Sequence, residues 1–408
     1  MAMRATSPLA ALLLGAALLA GQAHACTVFL LNCSNLRWAP VSGRTNDFMP
    51  PAEVGWRMDV VPPGTHAGTP PCPTCKATTF ATKYGYAGHT ALGGSIMNDG
   101  MNSEGLAAGL LWLEKTPFEI IFDPAGPKHA IAWLDVVPFL LGNFGTVQEA
   151  LAWLMGDEVQ VTTSLPPAPY QKVLEGLGLR GTQIPLHLSL MDAAGSTALV
   201  EFAPNGTQLY RDVPVVTNDP PYPEHEEWHA RWAEEVRAAM AAGRGVDILP
   251  APPASYAYLP GSMEAMARDV RMRMLLDAAC NANGAYPERE WAPGAGGGGI
   301  LPETTTAMSV LRSVEIPWGA TGQSDPGTFS AGDTVSSILR EHATGRYYFR
   351  SPGNPRWQGI NLKATNWAAY GGQRRVIEMA DNAASWWGDL TQPRADACTK
   401  PGPALAQA

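Results

Sequence analysis

The stretch "QAHACTVFLLN", residues 22–32, combines the end of a leader-like segment with the start of a strand. The residues after Cys26, "TVFL", are β-branched, aromatic or aliphatic, and this composition favours a β-strand. Ala23 and Ala25 are small residues at the −3 and −1 positions of a cleavage site. The sequence therefore predicts a strand that begins directly after a cut, with Cys26 as the first residue of the released chain.

The segment before this cut has the order of a secretory signal peptide. Arg4 supplies a positive charge, and residues 9–20, "LAALLLGAALLA", form a short apolar run without charge. The run is shorter than the roughly 20 apolar residues that span a bilayer. We therefore predict a signal peptide at residues 1–25, a periplasmic or secreted mature protein, and no stable membrane insertion.

Composition narrows the class of protein. The chain has 408 residues, of which 46% are hydrophobic and 16% charged, and this balance is typical of a folded chain with a sizeable core. The net charge is −9 and the basic residues form no runs, which argues against a nucleic-acid partner.

The cysteines fit an exported protein, in which disulfides form and persist. The sequence leaves open how five of them pair, namely Cys33, Cys72, Cys75, Cys280 and Cys398. "CPTC", residues 72–75, lies in a proline- and glycine-rich stretch, and we predict a local loop clasp there rather than a redox or metal site.

Apolar periodicity predicts β-rich blocks that alternate with helical pairs, an order that suits sheets covered by helices. Strands are predicted within residues 26–32, 38–48, 84–113, 184–220 and 345–351. Helices are predicted within residues 130–156, as two helices broken near Gly142 and Gly145, and within 224–243 and 262–279. A flexible loop is predicted at residues 283–303 and a flexible tail at 392–408.

"HEEWH", residues 225–229, matches the pattern with which a helix presents two zinc-binding imidazoles. Glu227 adds a charge that such helices usually lack, and no third ligand follows at a familiar spacing. We therefore predict a solvated surface helix and keep a zinc peptidase as an alternative. His187 and His342 have no evident catalytic role and are interpreted as structural.

Four further segments carry a stronger signal by their order after Cys26. They are "GRTNDF" (43–48), "DGMNSEGLAAGLLW" (99–112), "VVTNDPPY" (215–222) and "LPGSMEAMARDVR" (259–271). Together with the N-terminal cysteine, they resemble the choloylglycine hydrolase family, which includes bile salt hydrolases, penicillin V acylases and acyl-homoserine-lactone acylases. The resemblance extends from Cys26 to about Asn361, and the family belongs to the N-terminal nucleophile hydrolases.

The resemblance implies an α+β fold over residues 26–391, the αββα sandwich of that superfamily, with two stacked antiparallel sheets between helical layers. It implies a small-molecule N-acyl amide substrate, such as penicillin V or an N-acyl homoserine lactone. It also implies no metal or organic cofactor, and a homo-oligomer that is a dimer or a tetramer.

Cys26 suits nucleophilic catalysis, because a thiol and a free α-amino group would stand on one residue. The unperturbed pKa of the amine is about 7.7–8.0 and that of the thiol about 8.5, so the amine can act as the base. By resemblance, Asp47 holds this amine in position, and Arg44 lies beside the sulfur, where a cation favours the thiolate.

The resemblance also assigns the residues that stabilise the transition state. Asn218 would donate its side-chain amide to the oxyanion, and a backbone N–H at Trp112 would be the second donor. Arg268 aligns with the arginine that completes the family's site. The local motif differs from the family pattern, since Ser262 stands where aspartate is favoured and Asp269 replaces an aromatic residue.

Each of these residues also has a simpler interpretation. Arg44 and Asp47 could form a surface ion pair, Asn218 could be a turn residue, and Arg268 could be solvated on its helix. Cys26 could be a structural cysteine, or the attachment point of a lipid-anchored binding or structural protein.

Trp112 points to a class of substrate. It aligns where bile salt hydrolases tend to have asparagine and penicillin V acylases tyrosine. A tryptophan offers a flat apolar wall, which suits a phenoxyacetyl ring or an aliphatic acyl chain better than a hydroxylated steroid. The alternative is that the Trp112 side chain only packs in the core.

Overall fold

The structure is a computed structural model. It describes residues 26–47, 55–68, 79–91, 94, 96–113, 129–156, 159–162, 186–203, 206–241, 259–281, 300–317, 333–379, 388–389 and 399–401. The predicted signal peptide, the "CPTC" segment and Cys398 lie outside the described residues.

The described residues form twenty strands, of which ten lie within the predicted strand blocks and ten lie outside them. They are β1 (Thr27–Leu31), β2 (Val41–Asp47), β3 (Arg57–Val61), β4 (His66–Gly68), β5 (Thr79–Ala81), β6 (Tyr86–Ala91), β7 (Ile96–Asn102), β8 (Ala107–Trp112), β9 (His129–Ala132), β10 (Val159–Thr162), β11 (Leu186–Met191), β12 (Thr197–Ala203), β13 (Gly206–Arg211), β14 (Val215–Val216), β15 (Thr334–Glu341), β16 (Arg346–Ser351), β17 (Asn354–Asn361), β18 (Arg375–Glu378), β19 (Gly388–Asp389) and β20 (Thr399–Pro401).

The predicted helical segments are also helical in the structure. The helices are α1 (Trp133–Asn143), α2 (Val147–Leu154), α3 (Tyr222–Ala241), α4 (Ala265–Asn281) and α5 (Pro302–Arg312). Thr146 and Glu149 form a capping box that starts α2, because each side chain accepts from the other's backbone N–H. In the part of the chain that is described, no helix combines the length and apolarity needed to cross a membrane.

The strands form two large sheets. The first sheet has the order β14-β1-β2-β15-β16-β17-β19, and the second has the order β13-β12-β11-β8-β7-β6-β3-β18-β20. All pairs in these two sheets are antiparallel except β17 with β19. The pairing register sets which side chains share a face, since successive residues of a strand point to opposite faces.

Both faces of each sheet are covered. Phe29 and Leu31 of β1 pack against α4 and α5, whereas Val28 and Leu30 pack towards Leu111 of the second sheet. The outer face of the second sheet packs on α1 and α2. The layer order is therefore helix, sheet, sheet, helix, and the predicted αββα sandwich is confirmed.

One local prediction is confirmed and one differs from the structure. Helix α1 ends at Asn143 and α2 begins at Val147, so the break between the two helices falls near Gly142 and Gly145, as predicted. Thr399–Pro401, which falls in the predicted flexible tail, forms β20 and pairs with β18 at the edge of the second sheet.

A disulfide joins Cys33, which follows β1, to Cys280 in the last turns of α4. The pair is separated by 247 residues along the chain. The same strand begins after Cys26 and the same helix carries Arg268, so the crosslink ties together the two elements that supply these residues.

We predict that replacing both cysteines, Cys33→Ser with Cys280→Ser, lowers the thermal midpoint. Removal of a native disulfide typically costs about 2–5 kcal/mol of stability. The measurement is the midpoint of thermal unfolding with and without dithiothreitol. The reductant should lower the midpoint of the wild type and leave the double variant nearly unchanged. Equal responses of the two proteins would contradict the prediction.

Candidate active site

Cys26 lies immediately before β1 and points between the two sheets. It is 7% exposed and packs with Val28, Leu30 and Leu111. The strand direction explains this placement, since Cys26, Val28 and Leu30 alternate with the residues that face the helices. The thiol therefore lies at the end of the first sheet, on its inner face.

Asn218 lies beside Cys26 because β1 and β14 pair with Val28 opposite Val216. The Cys26 backbone nitrogen donates to Asn218 Oδ1 at 2.5 Å. Asn218 Nδ2 donates to the Trp112 carbonyl, at 2.9 Å, on β8 of the second sheet. The orientation of the amide is thus defined at both ends, since its oxygen faces a donor and its nitrogen faces an acceptor.

Arg268 is buried and completes this cradle. Its Nη1 donates to the Cys26 carbonyl at 2.7 Å and to Thr27 Oγ1, and its Nη2 donates to Asn218 Oδ1 at 3.1 Å. The interpretation of Arg268 as a solvated helix residue is therefore wrong. Met263, which follows the altered "LPGS" segment, also contacts Arg268, because Met263 O accepts from Arg268 Nε at 2.8 Å.

Arg44 and Asp47 are both fully buried, so the surface ion pair is also wrong. Arg44 binds another carboxylate, with Nη1 at 3.0 Å from Asp99 Oδ2. Asp47 accepts from two hydroxyls, Thr45 Oγ1 at 2.9 Å and Thr334 Oγ1 at 2.5 Å.

Burial dominates the electrostatics of the site. It raises the pKa of the Cys26 thiol, and the nearby Arg44 cation opposes this shift without overcoming it. Burial also raises the pKa of Asp47 to about 7, against the opposing effects of Arg268 and the two hydroxyls. Arg44 acts in the direction that the sequence predicts, but the buried thiol remains protonated near neutral pH.

Asp47 should make stability depend on pH. The folded protein holds the Asp47 proton up to about pH 7, whereas the unfolded chain loses it near 3.8, so stability falls as the pH rises through this window. Asp47→Asn should remove this fall in stability, because asparagine does not titrate. We expect its unfolding free energy, relative to the parent chain, to increase from about pH 5 to about pH 8.

The measurement is urea unfolding of a chain that keeps Met-Gly ahead of Cys26, so that no N-terminal amine adds a charge beside Asp47. Cys26→Ala in the same chain is the control and should keep the parent's pH dependence. Parallel pH profiles of the parent and Asp47→Asn would contradict the raised pKa of Asp47.

The "HEEWH" segment contributes to this site in a way the sequence did not reveal. His225 is buried, and its Nε2 lies 2.9 Å from the Asn218 carbonyl. Among the described residues, no three histidine, cysteine or acidic side chains are grouped so that they could hold a metal ion. The segment is therefore partly buried, and one of its histidines contacts the asparagine of the candidate site.

Trp112 is the last residue of β8 and lies opposite Leu186. Its carbonyl accepts from Asn218, and its side chain is half-buried. The structure thus brings the Trp112 carbonyl to Asn218, which in turn contacts Cys26 and Arg268. Its backbone N–H as an oxyanion donor and its side chain as a substrate wall stay predictions, as do the catalytic roles of the other residues.

Comparison with known sequences shows the family of the chain. Residues 26–288 match the model of the family described as linear amide C–N hydrolases, choloylglycine hydrolase family. A penicillin V acylase of Pectobacterium atrosepticum is 26% identical over 317 residues, which cover 75% of this chain and 73% of the relative.

Solved structures share the fold. The penicillin V acylase of Agrobacterium tumefaciens superposes with a TM-score of 0.62 at 22% identity, over 90% of this chain and 95% of that one. A variant of the conjugated bile acid hydrolase of Clostridium perfringens superposes with a TM-score of 0.60 at 17% identity, over 86% of this chain and 97% of that one.

Proposed function

Because this chain belongs to the choloylglycine hydrolase family of linear amide C–N hydrolases, we propose that it cleaves N-acyl amides with Cys26 as its nucleophile, after removal of residues 1–25. The chain is a hydrolase that acts on carbon–nitrogen bonds other than peptide bonds, in linear amides. The observation that carries the proposal is the cradle of Asn218 and Arg268 around the Cys26 backbone. The start of the family match at residue 26 also supports it.

The raised pKa of the Cys26 thiol means that attack needs a base. In the described part of the chain, the hydrogen bonds of Cys26 connect it to Asp47, Asn218 and Arg268, and none connects it to a histidine. Cleavage after Ala25 would convert the Cys26 backbone N–H into a primary amine, whose unperturbed pKa is about 7.7–8.0. The amine is therefore the base in this proposal.

The reaction then has two balanced halves. The amine takes the thiol proton, the sulfur attacks the acyl carbon, and collapse of the tetrahedral intermediate breaks the C–N bond as the ammonium returns the proton to the leaving nitrogen. The amine next takes a proton from water, whose oxygen attacks the thioester. The carboxylic acid leaves, and the sulfur regains its proton.

Asn218 is suited to stabilise the oxyanion in both halves. Its Nδ2 carries two hydrogens, and the Trp112 carbonyl takes one of them. The other is assigned to the oxyanion. The bonds from Cys26 and Arg268 to Oδ1 keep the amide from turning its oxygen towards the developing negative charge.

A residue left ahead of Cys26 should abolish activity, because an amide nitrogen is not basic. We expect no turnover from the mature chain carrying a non-removable Met-Gly extension, with the extension verified by intact mass. Full activity of that verified chain would rule out the amine as base.

Cys26→Ala is the matched control for this experiment. It should be inactive although its unfolding midpoint stays close to that of the wild type, since the change removes one sulfur and leaves the backbone cradle intact. Activity of Cys26→Ala would contradict the nucleophile itself rather than the base.

An intact-mass measurement also distinguishes the proposed enzyme from the alternative of a lipid-anchored binding or structural protein. A lipid-anchored protein would carry a diacylglyceryl group on Cys26, whereas the proposed enzyme has an unmodified cysteine as its first residue. Protein secreted by its own leader is needed for this comparison. The result also tests the proposed cleavage after Ala25 and the periplasmic or secreted location.

The proposed substrates are penicillin V or medium-to-long acyl homoserine lactones. In this proposal the Trp112 side chain has the role of an apolar wall for a phenoxyacetyl ring or an acyl chain, with about 0.8 kcal/mol gained for each buried CH₂. The relative from Pectobacterium atrosepticum, which is a penicillin V acylase, also supports this class.

We predict that kcat/KM is higher for penicillin V or the lactones than for glycine- or taurine-conjugated bile salts. Trp112→Asn should lower kcat/KM for the preferred class by about tenfold, while Trp112→Phe, which keeps an apolar ring, should retain most of it. A clear preference for conjugated bile salts would contradict the role of Trp112 and leave the Cys26 mechanism standing.

A further inference from the structure

Two buried histidines bind consecutive carbonyls beside the candidate active site. His187 Nε2 lies 2.9 Å from the Thr217 carbonyl, and His225 Nε2 lies 2.9 Å from the Asn218 carbonyl. A carbonyl oxygen can only accept, so both Nε2 atoms must carry their hydrogen. The two imidazoles thus act as donors to adjacent peptide units.

We propose that His187 and His225 are positioning residues, which hold the Thr217–Asn218 backbone so that the Asn218 amide faces the reacting centre at Cys26. The inference rests on the proposed function. It deepens that function by naming the groups that set the position of the oxyanion donor.

The strand before Asn218 cannot fix its position by pairing alone. Strand β14 has only two residues, and its pairing with β1 ends at Val216, which lies opposite Val28. Thr217 and Asn218 lie beyond this ladder and are nevertheless buried. Side-chain contacts must therefore supply the constraint that a longer strand would give.

These contacts come from three different elements. His187 belongs to β11 in the second sheet, and His225 belongs to α3. Thr217 Oγ1 in addition donates to the Ala265 carbonyl, at 3.2 Å, where α4 begins. A segment held from a sheet and two helices has little freedom to shift when the substrate binds.

The two histidines are themselves connected. His187 Nδ1 lies 3.4 Å from Glu201 Oε1, and the same oxygen accepts from the Tyr222 backbone N–H at 2.9 Å. Tyr222 is the first residue of α3, the helix that carries His225. Glu201 thus fixes the start of this helix relative to His187.

The other nitrogen of His225 faces a residue that departs from the family pattern. Its Nδ1 lies 3.9 Å from Asp269 Oδ2, and Arg273 Nε lies 3.0 Å from the same oxygen. Asp269 and Arg273 thus form an ion pair behind His225, and the 3.9 Å separation between Asp269 and His225 is too long for a hydrogen bond.

The proposal predicts a selective loss of the chemical step. His225→Leu removes the donor and keeps an apolar side chain of similar reach, which leaves the Asn218 carbonyl without its partner. Loss of an oxyanion donor costs about 10²–10³ in rate, so displacing one should lower kcat about ten- to a hundredfold with little change in KM. His225→Gln, which retains an N–H at a similar distance from the backbone, should restore most of kcat.

His342 provides a matched control. It is also fully buried and bound to a backbone carbonyl, with Nδ1 at 2.7 Å from Gly105 O and Nε2 at 2.8 Å from Ser42 Oγ. It follows β15 at the end of the first sheet opposite to Asp47 and Cys26. His342→Leu should lower the thermal midpoint and leave kcat per folded enzyme unchanged.

The outcomes separate positioning from simple stability. If His225→Leu lowers the thermal midpoint as His342→Leu does but keeps the kcat of the wild type, the inference is overturned while the proposed function stands. A loss of kcat that Gln does not restore also overturns it.

A crystal structure of His225→Leu tests the inference without activity. We expect the Asn218 amide to have left its positions on Arg268 and Trp112. An unmoved amide overturns the inference. Failure of the wild type to hydrolyse any N-acyl amide would contradict the proposed function alone, and this structure would still decide the role of His225.

Discussion

The buried carboxylate of Asp99 is the contact on which the stacking of the two sheets depends. It lies on β7 in the second sheet and binds three side chains from the first sheet, namely Arg44, Arg340 and Tyr347. A charge buried between sheets is tolerated only when its partners satisfy it, and removing one partner leaves an uncompensated charge. The relative position of the sheets is therefore defined by a polar cluster as well as by apolar packing.

The candidate active site inherits its geometry from this cluster. Arg44 on β2 pairs with Val28 on β1, and Val28 is two residues after Cys26. Its guanidinium also binds the carbonyls of Asn98 and Leu110, so its cation cannot move away from the thiol. Gly109 makes room for this approach, because a Cβ at that position would collide with Arg44 Nη1. Arg44, one of the charged residues that shift the pKa of the thiol, thus also joins the two sheets.

Sequence reasoning predicted the elements better than the contacts between them. The β-branched run after Cys26 and the helical periodicity at residues 262–279 depend on local composition, and both segments fold as predicted. The disulfide partners are 247 residues apart, and no local pattern connects them.

Single polar residues escaped prediction for the same reason. Asp99 acquires its partners, and His187 the Thr217 carbonyl, only when the sheets stack, and no local pattern predicts these contacts. His225 was misread because "HEEWH" follows the helical pattern of a metal site or a solvated face. What decides its role is the Asn218 carbonyl, which the helix reaches only in the folded chain.

The raised pKa of Asp47 gains a physical meaning when the uncut and cut chains are compared. Before cleavage, the Cys26 nitrogen is a neutral amide that donates to Asn218. It therefore contributes no positive charge near the buried Asp47 carboxyl, whose pKa is raised. In the proposed enzyme, cleavage creates an amine at this atom, and its protonated form would stabilise the Asp47 carboxylate as an opposite charge nearby. The same attraction would favour the ammonium, so in the proposed enzyme Asp47 would raise the proton affinity of the base and help to orient it. The cradle would therefore serve both forms of the chain, and the cut form would add an ammonium to the Arg268 and Arg44 charges that already act on the buried carboxylate.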